Sequence, residues 1–185
     1  MTRKKLGIFL STGIFLTISL GLKAQDNATH ISTNDIMTVF EHLGETIDHQ
    51  VRVVDIGDDI NVAVGILRRV GTRTEGEAIN AILHHRVTEV YYVLSGSGVL
   101  VTGGEESNPR EFPADNISVL ELIGPSGSRS TLDGQVQTIS AGDIVVIPAG
   151  VPHGFRHIQE QITYLSIRVD PDQTLPVNYL HPSLQ

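Results

Sequence analysis

Between residues 50 and 169 the apolar side chains fall at alternate positions in short runs, and this rhythm limits the fold more than any other feature of the chain. Ile60, Val62, Val64 and Ile66 alternate, and β-branched clusters recur at 51–56, 90–101, 117–122, 136–139, 144–147 and 162–169. Residues two apart share a face of a strand, so each cluster predicts a strand. Turn signals part them: Gly57-Asp58-Asp59, Gly71, Gly76, Gly96-Ser97-Gly98, Gly103-Gly104, 124–127, Asp133-Gly134, Gly142-Asp143 and Pro148-Ala149-Gly150. Seven or more short strands with turns this frequent predict an all-β sandwich or barrel. Two stretches, 103–116 and 126–133, read as long polar loops, and Ala78 to Leu83 is strand-like.

Upstream the period changes. Ile36, Val39, Phe40 and Leu43 stand at i, i+3, i+4 and i+7, with Thr33, Asn34 and Asp35 as candidate N-caps and Gly44 as the stop. This predicts one short amphipathic helix. The tail beyond Asp170 carries Pro171, Pro176 and Pro182 and reads as extended coil that wraps the surface or reaches a neighbour.

The first 24 residues follow a different logic. Arg3-Lys4-Lys5 precede an apolar run over 6–22, and Ala24 leads into polar Gln25-Asp26-Asn27. That is the order of a secretory signal, with a retained membrane anchor as the alternative reading of the same run. The expected organisation is a signal peptide at 1–24, a lead and helix at 25–48, a barrel at 49–170 and a tail at 171–185. The mature protein is expected to be periplasmic or extracellular and free of the membrane.

Composition narrows the chemistry. The 185 residues include no Cys, so thiolate metal sites, iron–sulfur clusters and cysteine nucleophiles are excluded. Past Ala24, nine Arg face all 21 Asp and Glu, which argues against a nucleic-acid partner. Any metal must sit on His, Asp or Glu. His84 and His85 close one strand-like stretch, Glu89 opens the next, and His153 follows a Pro-Ala-Gly-Val-Pro turn at a third strand entry. Two imidazoles and one carboxylate on a common face suit a divalent first-row metal and leave positions for water or substrate. Arg68, Arg69, Arg73 and Arg86 are candidates for an anion site near such a pocket, and also for solvated surface residues.

The spacing of these residues resembles the two motifs of the cupin family. Gly76, Ile82, His84, Glu89 and Gly96 match G(x)5HxH(x)3-4E(x)6G with Ile82 in place of the first His. Gly142, Pro148, Gly150, His153 and His157 match G(x)5PxG(x)2H(x)3N with His157 in place of Asn. The resemblance covers roughly 76–157. It implies a double-stranded β-helix, the cupin jelly-roll barrel, with a divalent ion (Fe, Zn, Mn, Ni or Cu) on His84, Glu89 and His153. A three-residue spacing would use His85 instead of His84, at the cost of Gly76's register. His157 shares strand parity with His153 and Phe155, and is expected beside the site as a replacement ligand or hydrogen-bonding residue. Tyr91, on the face of Glu89, and Phe155 are expected to line the pocket.

What the resemblance implies for function is a metal-dependent small-molecule enzyme of oxygenase, isomerase or lyase type. The alternative is a non-catalytic small-molecule-binding barrel with an incomplete metal site. A homodimer is expected too, because the strands at 51–56 and 60–66 are apolar on both faces.

Overall fold

The computed structural model describes residues 27–74, 76 and 78–185, so the expected leader at 1–24 lies outside the described residues. The amphipathic stretch forms α1 (Thr33–Glu41). Its N-cap is Ser32, one residue ahead of the expected caps: Ser32 Oγ accepts from the Asp35 N–H at 3.1 Å, and the Asp35 carboxylate accepts from the Ser32 N–H at 2.9 Å. This reciprocal box satisfies two orphan donors of the first turn. Val39 then packs with Val51 and Ile66 on the outside of the barrel.

Nine strands follow: β1 (Asp48–Gly57), β2 (Ile60–Arg73), β3 (Ile79–His84), β4 (Thr88–Thr102), β5 (Glu105–Glu111), β6 (Ser126–Leu132), β7 (Gln135–Ser140), β8 (Ile144–Ile147) and β9 (His153–Asp170). The order is β1-β2-β9-β3-β6-β5, with β4 paired to β7, β8 and β9, and every ladder is antiparallel. This is the expected all-β, double-stranded β-helix architecture with a short N-terminal helix. β9 is its spine, bonded to β2 along one edge and to β4 along the other. Inside, Leu67, Tyr91, Val93, Leu100, Ile158 and Tyr164 belong to one buried cluster.

Two expectations need correction, and of the two arrangements expected for the tail one is found. The segment 117–122 is not a strand but leads into a short π-helical element, Val119–Ile123. Asn116 Oδ1 accepts the Ser118 N–H at 2.8 Å and starts the turn, and the two buried residues, Val119 and Ile123, are four apart, a helical spacing. The two expected loops contain β5 and β6, which pair with each other. β5 is exposed throughout, so no apolar alternation marks it, and its backbone ladder to β6, flanked by Arg129 pairing with Glu106 and Glu111, aligns it. The tail, finally, lies against its own barrel. Val53 N–H donates to Tyr179 O, His181 N–H donates to Val51 O, and Leu175 is buried with Val53 and Ala63. The second apolar face of β1 and β2 is therefore covered by α1 and the tail of the same chain.

Candidate metal centre

Three strand ends deliver the site. His84 closes β3, and its carbonyl accepts the Gly150 N–H at 2.7 Å, which fastens the Pro148–Gly150 turn to it. Gly150 has φ +81°, a backbone that glycine tolerates best. Glu89 is the second residue of β4, and His153 opens β9 directly opposite Ile82 of β3. Glu89 Oε2 lies 3.2 Å from His84 Nε2 and 3.1 Å from His153 Nε2. One donor atom from each of the three residues lies within 4.8 Å of the others, and all three side chains are buried.

The far nitrogens fix what the near ones offer. Ser126 Oγ donates to the Gly124 carbonyl at 2.8 Å, so it accepts from His84 Nδ1–H, also at 2.8 Å. His153 Nδ1–H donates to the Val151 carbonyl at 3.0 Å. In the neutral ring this assignment leaves each Nε2 a lone pair. Both lone pairs confront a carboxylate oxygen, and His153 Nε2 has no hydrogen-bond partner although it is buried. Burial lowers the His84 pKa, only partly opposed by Glu89, so a proton is disfavoured there. Buried imidazoles oriented through Nδ1 toward a carboxylate form a donor set that fits a divalent metal.

Glu89 is held as an anion. Burial would raise its pKa, but it lies well below the usual carboxylate range, and the permanent charge of Arg168 is what favours the anion beside neutral imidazoles. Tyr91 O–H donates to Oε2 at 3.0 Å, while Ser166 O–H and Arg168 Nε donate to Oε1 at 2.6 and 3.2 Å. Arg168 is itself buried, and its other nitrogens donate to Gln50 Oε1 and Asp48 Oδ2. A cavity of about 240 Å³ opens beside the cluster, with Ile82 in its wall and the helix of Ser118, Leu122 and Ile123 along one side.

Of the residues expected near the site, His84, Glu89, His153 and Tyr91 come together. Phe155 lines a neighbouring cavity that also touches His153. His85 points away and pairs with Glu111 at 2.6 Å on the surface. His157 does not sit beside the site; it is exposed. A bulge explains this: Phe155 pairs with Leu100 while His157 pairs with Val99, two residues against one, and the inward parity passes from His153 and Phe155 to Ile158, Ile162 and Tyr164. Arg68 lies over the Phe40 ring and Arg86 pairs with Asp172, and neither lines the cavity beside the cluster. Ser126, Ser166, Arg168 and Asp48 were not anticipated. For Ser166 and Arg168 a signal existed, since polar residues two apart continue the parity of buried Tyr164 on a long strand.

The family model described as Cupin domain matches residues 128–168, the segment holding Gly142, Pro148, Gly150 and His153. No curated protein matches the sequence. Among solved structures the chain is similar to a Bacillus halodurans protein at 16% identity, covering 85% of this chain and 92% of that one, with TM-score 0.45. It is also similar to oxalate decarboxylase of Bacillus subtilis, in a structure concerned with its Mn(II) centres: 17% identity, 67% of this chain, 25% of that one, TM-score 0.39. A third is a conserved protein with a double-stranded β-helix domain from Klebsiella pneumoniae, at 20% identity, 68% and 80% coverage and TM-score 0.34. Over residues 128–168, which carry the second motif, the chain is thus similar to a cupin domain.

Proposed function

We propose that this chain is an exported metal-binding cupin that works on a small molecule, with His84, Glu89 and His153 as the protein's ligands. The observation that carries the reading is the pair of Nε2 lone pairs, each set by an Nδ1 hydrogen bond, facing one oxygen of a buried carboxylate. A divalent ion there would supply Lewis-acid chemistry, or oxygen chemistry if it were Fe. The chain's own groups prepare the site: Tyr91, Ser166 and Arg168 fix the Glu89 carboxylate, and Ile82 faces the centre where the motif resembled here has a fourth ligand.

Metal content of the purified mature protein and its single variants tests this. Metal should be lost with His84→Ala and kept with His85→Ala. The reverse pattern, or no metal under any loading condition, overturns the assignment. A second reading, the non-catalytic binding barrel, is favoured by Ile82 and by the pairing of Glu89 with Arg168; metal binding without turnover in a substrate screen, with and without oxygen, would select it. Export and self-association belong to the same proposal. An intact mass beginning at Gln25 or Asp26, and a dimer by light scattering at micromolar concentration, are the expected results.

A further inference from the structure

We propose that the two adjoining cavities at the His84–Glu89–His153 cluster take a small organic carboxylate, its charged end held by Arg69 and its apolar body against Phe112, Phe155 and Ile158. This names a substrate class for the function proposed above and rests on that reading of the cavity.

Leu67 of β2 belongs to the barrel core, and Arg69, two residues on, shares its face. Arg69 lines both the cavity of about 240 Å³ and an adjoining one of about 400 Å³; the two share Ile82, Phe112 and His153. Its Nε donates to Tyr164 Oη at 2.9 Å, and its guanidinium carbon lies 5.9 Å from the centre of the Phe155 ring. These contacts aim the group. Among the described residues, neither Nη1 nor Nη2 has an acceptor, and no carboxylate lies within ion-pair distance. Arg168, the other cation of this cavity, is the contrast, because all three of its nitrogens are engaged.

The two free nitrogens form a planar fork that a carboxylate meets with two parallel hydrogen bonds. Arg69 and Arg168 together balance Glu89 and Asp48, but both carboxylates are engaged by Arg168 and neither reaches Arg69. A phosphate dianion would call for more cationic donors than one fork, whereas the apolar body of an organic acid can rest on Ile82, Phe112, Phe155 and Ile158 within a lining that also holds Thr74, Asn80 and Ser128. An organic carboxylate is what this combination recognises.

Benzoate and its neutral counterpart benzamide are the probes, titrated by calorimetry into the full mature protein after chelator treatment and again after Mn loading. Benzoate should bind the chelated wild type better than benzamide does. Arg69→Met should weaken benzoate by about 10- to 100-fold and leave benzamide unchanged, with Arg69→Lys in between. Tyr164→Phe keeps the cation but removes its anchor, and should weaken benzoate alone if Arg69→Met does not fold. Equal benzoate affinity in wild type and variants, no preference over benzamide, or no benzoate binding at about 10 mM in either metal state overturns the proposal. Metal content after Mn loading separates the two ideas: Arg69-dependent binding by a protein that takes up no Mn refutes the metal centre alone, and bound Mn with Arg69-independent binding refutes the carboxylate site alone.

Discussion

Gly65 and Arg168 compete for the same space, since a Cβ built on Gly65 would stand 2.7 Å from Arg168 Nη1 and 3.2 Å from Asp48 Oδ1. The missing side chain on β2 is what lets the guanidinium run beneath it to Asp48, Gln50 and Glu89. Arg168 has nowhere to yield, being buried and bonded on all three sides. Gly65→Ala is therefore expected to destabilise by about 1–3 kcal/mol and to loosen Glu89. Urea midpoints compared with those of Gly71→Ala, whose Cβ meets nothing closer than 3.4 Å, check this; equal midpoints refute it.

Ser126 orients the His84 ring by accepting its Nδ1–H. Ser126→Ala removes the acceptor that holds Nδ1–H and frees the ring to turn or change tautomer. Metal affinity should fall by about 10- to 100-fold while the fold survives. Competition with a chromogenic chelator measures it, and an unchanged affinity would show that ring orientation comes from packing alone.

Ile82 offers the converse test. It faces His153 across the β3–β9 ladder and lines the cavity that touches His84, Glu89 and His153. Ile82→His should add a donor and tighten metal binding on the order of tenfold. Looser binding would mean that the ion sits away from that wall.

Acid should release the tail. His181 Nδ1 accepts the Ser183 N–H at 3.2 Å, so Nε2 carries the proton toward His49 Nδ1 at 3.1 Å, with the His42 ring nearby. Burial, then His49 and His42, push its pKa below the ordinary 6.5. The undocked tail thus takes up the proton first, and docking is fully present above pH 6.5 and weakens as pH falls through it. Protection factors across 175–185 should drop between pH 7.5 and 5.5, by up to about tenfold per unit from this one site. Hydrogen exchange with constant protection would exclude the latch.

Sequence pattern foretold the barrel because alternation records which strand faces are buried, and it foretold His84, Glu89 and His153 because turns and motif spacing bring those strand ends together. It failed where side chains carry no such record. β5 is polar and exposed, so only its ladder to β6 makes it a strand. The alternation at 117–122 is apolar without being a strand, because Asn116 and Ser118 begin a turn first. His157 was misplaced by one inserted residue near Arg156, and no local pattern announces a bulge of that kind. Arg168 was hidden for another reason: its partners Asp48 and Gln50 lie more than a hundred residues away.

The position of β9 in the chain has a kinetic meaning. It is the last strand made, and the ladders to β2 and β4 that close the barrel join residues as far apart as Asn61 and Asp170. Until it emerges, β2 and β4 lack the strand that bridges them, and Glu89 lacks Ser166, Arg168 and His153. Folding must wait for the complete chain and then pass through distant pairings, a route that takes about milliseconds to seconds in all-β domains. A polypeptide that stays open for that interval can still be threaded across a membrane.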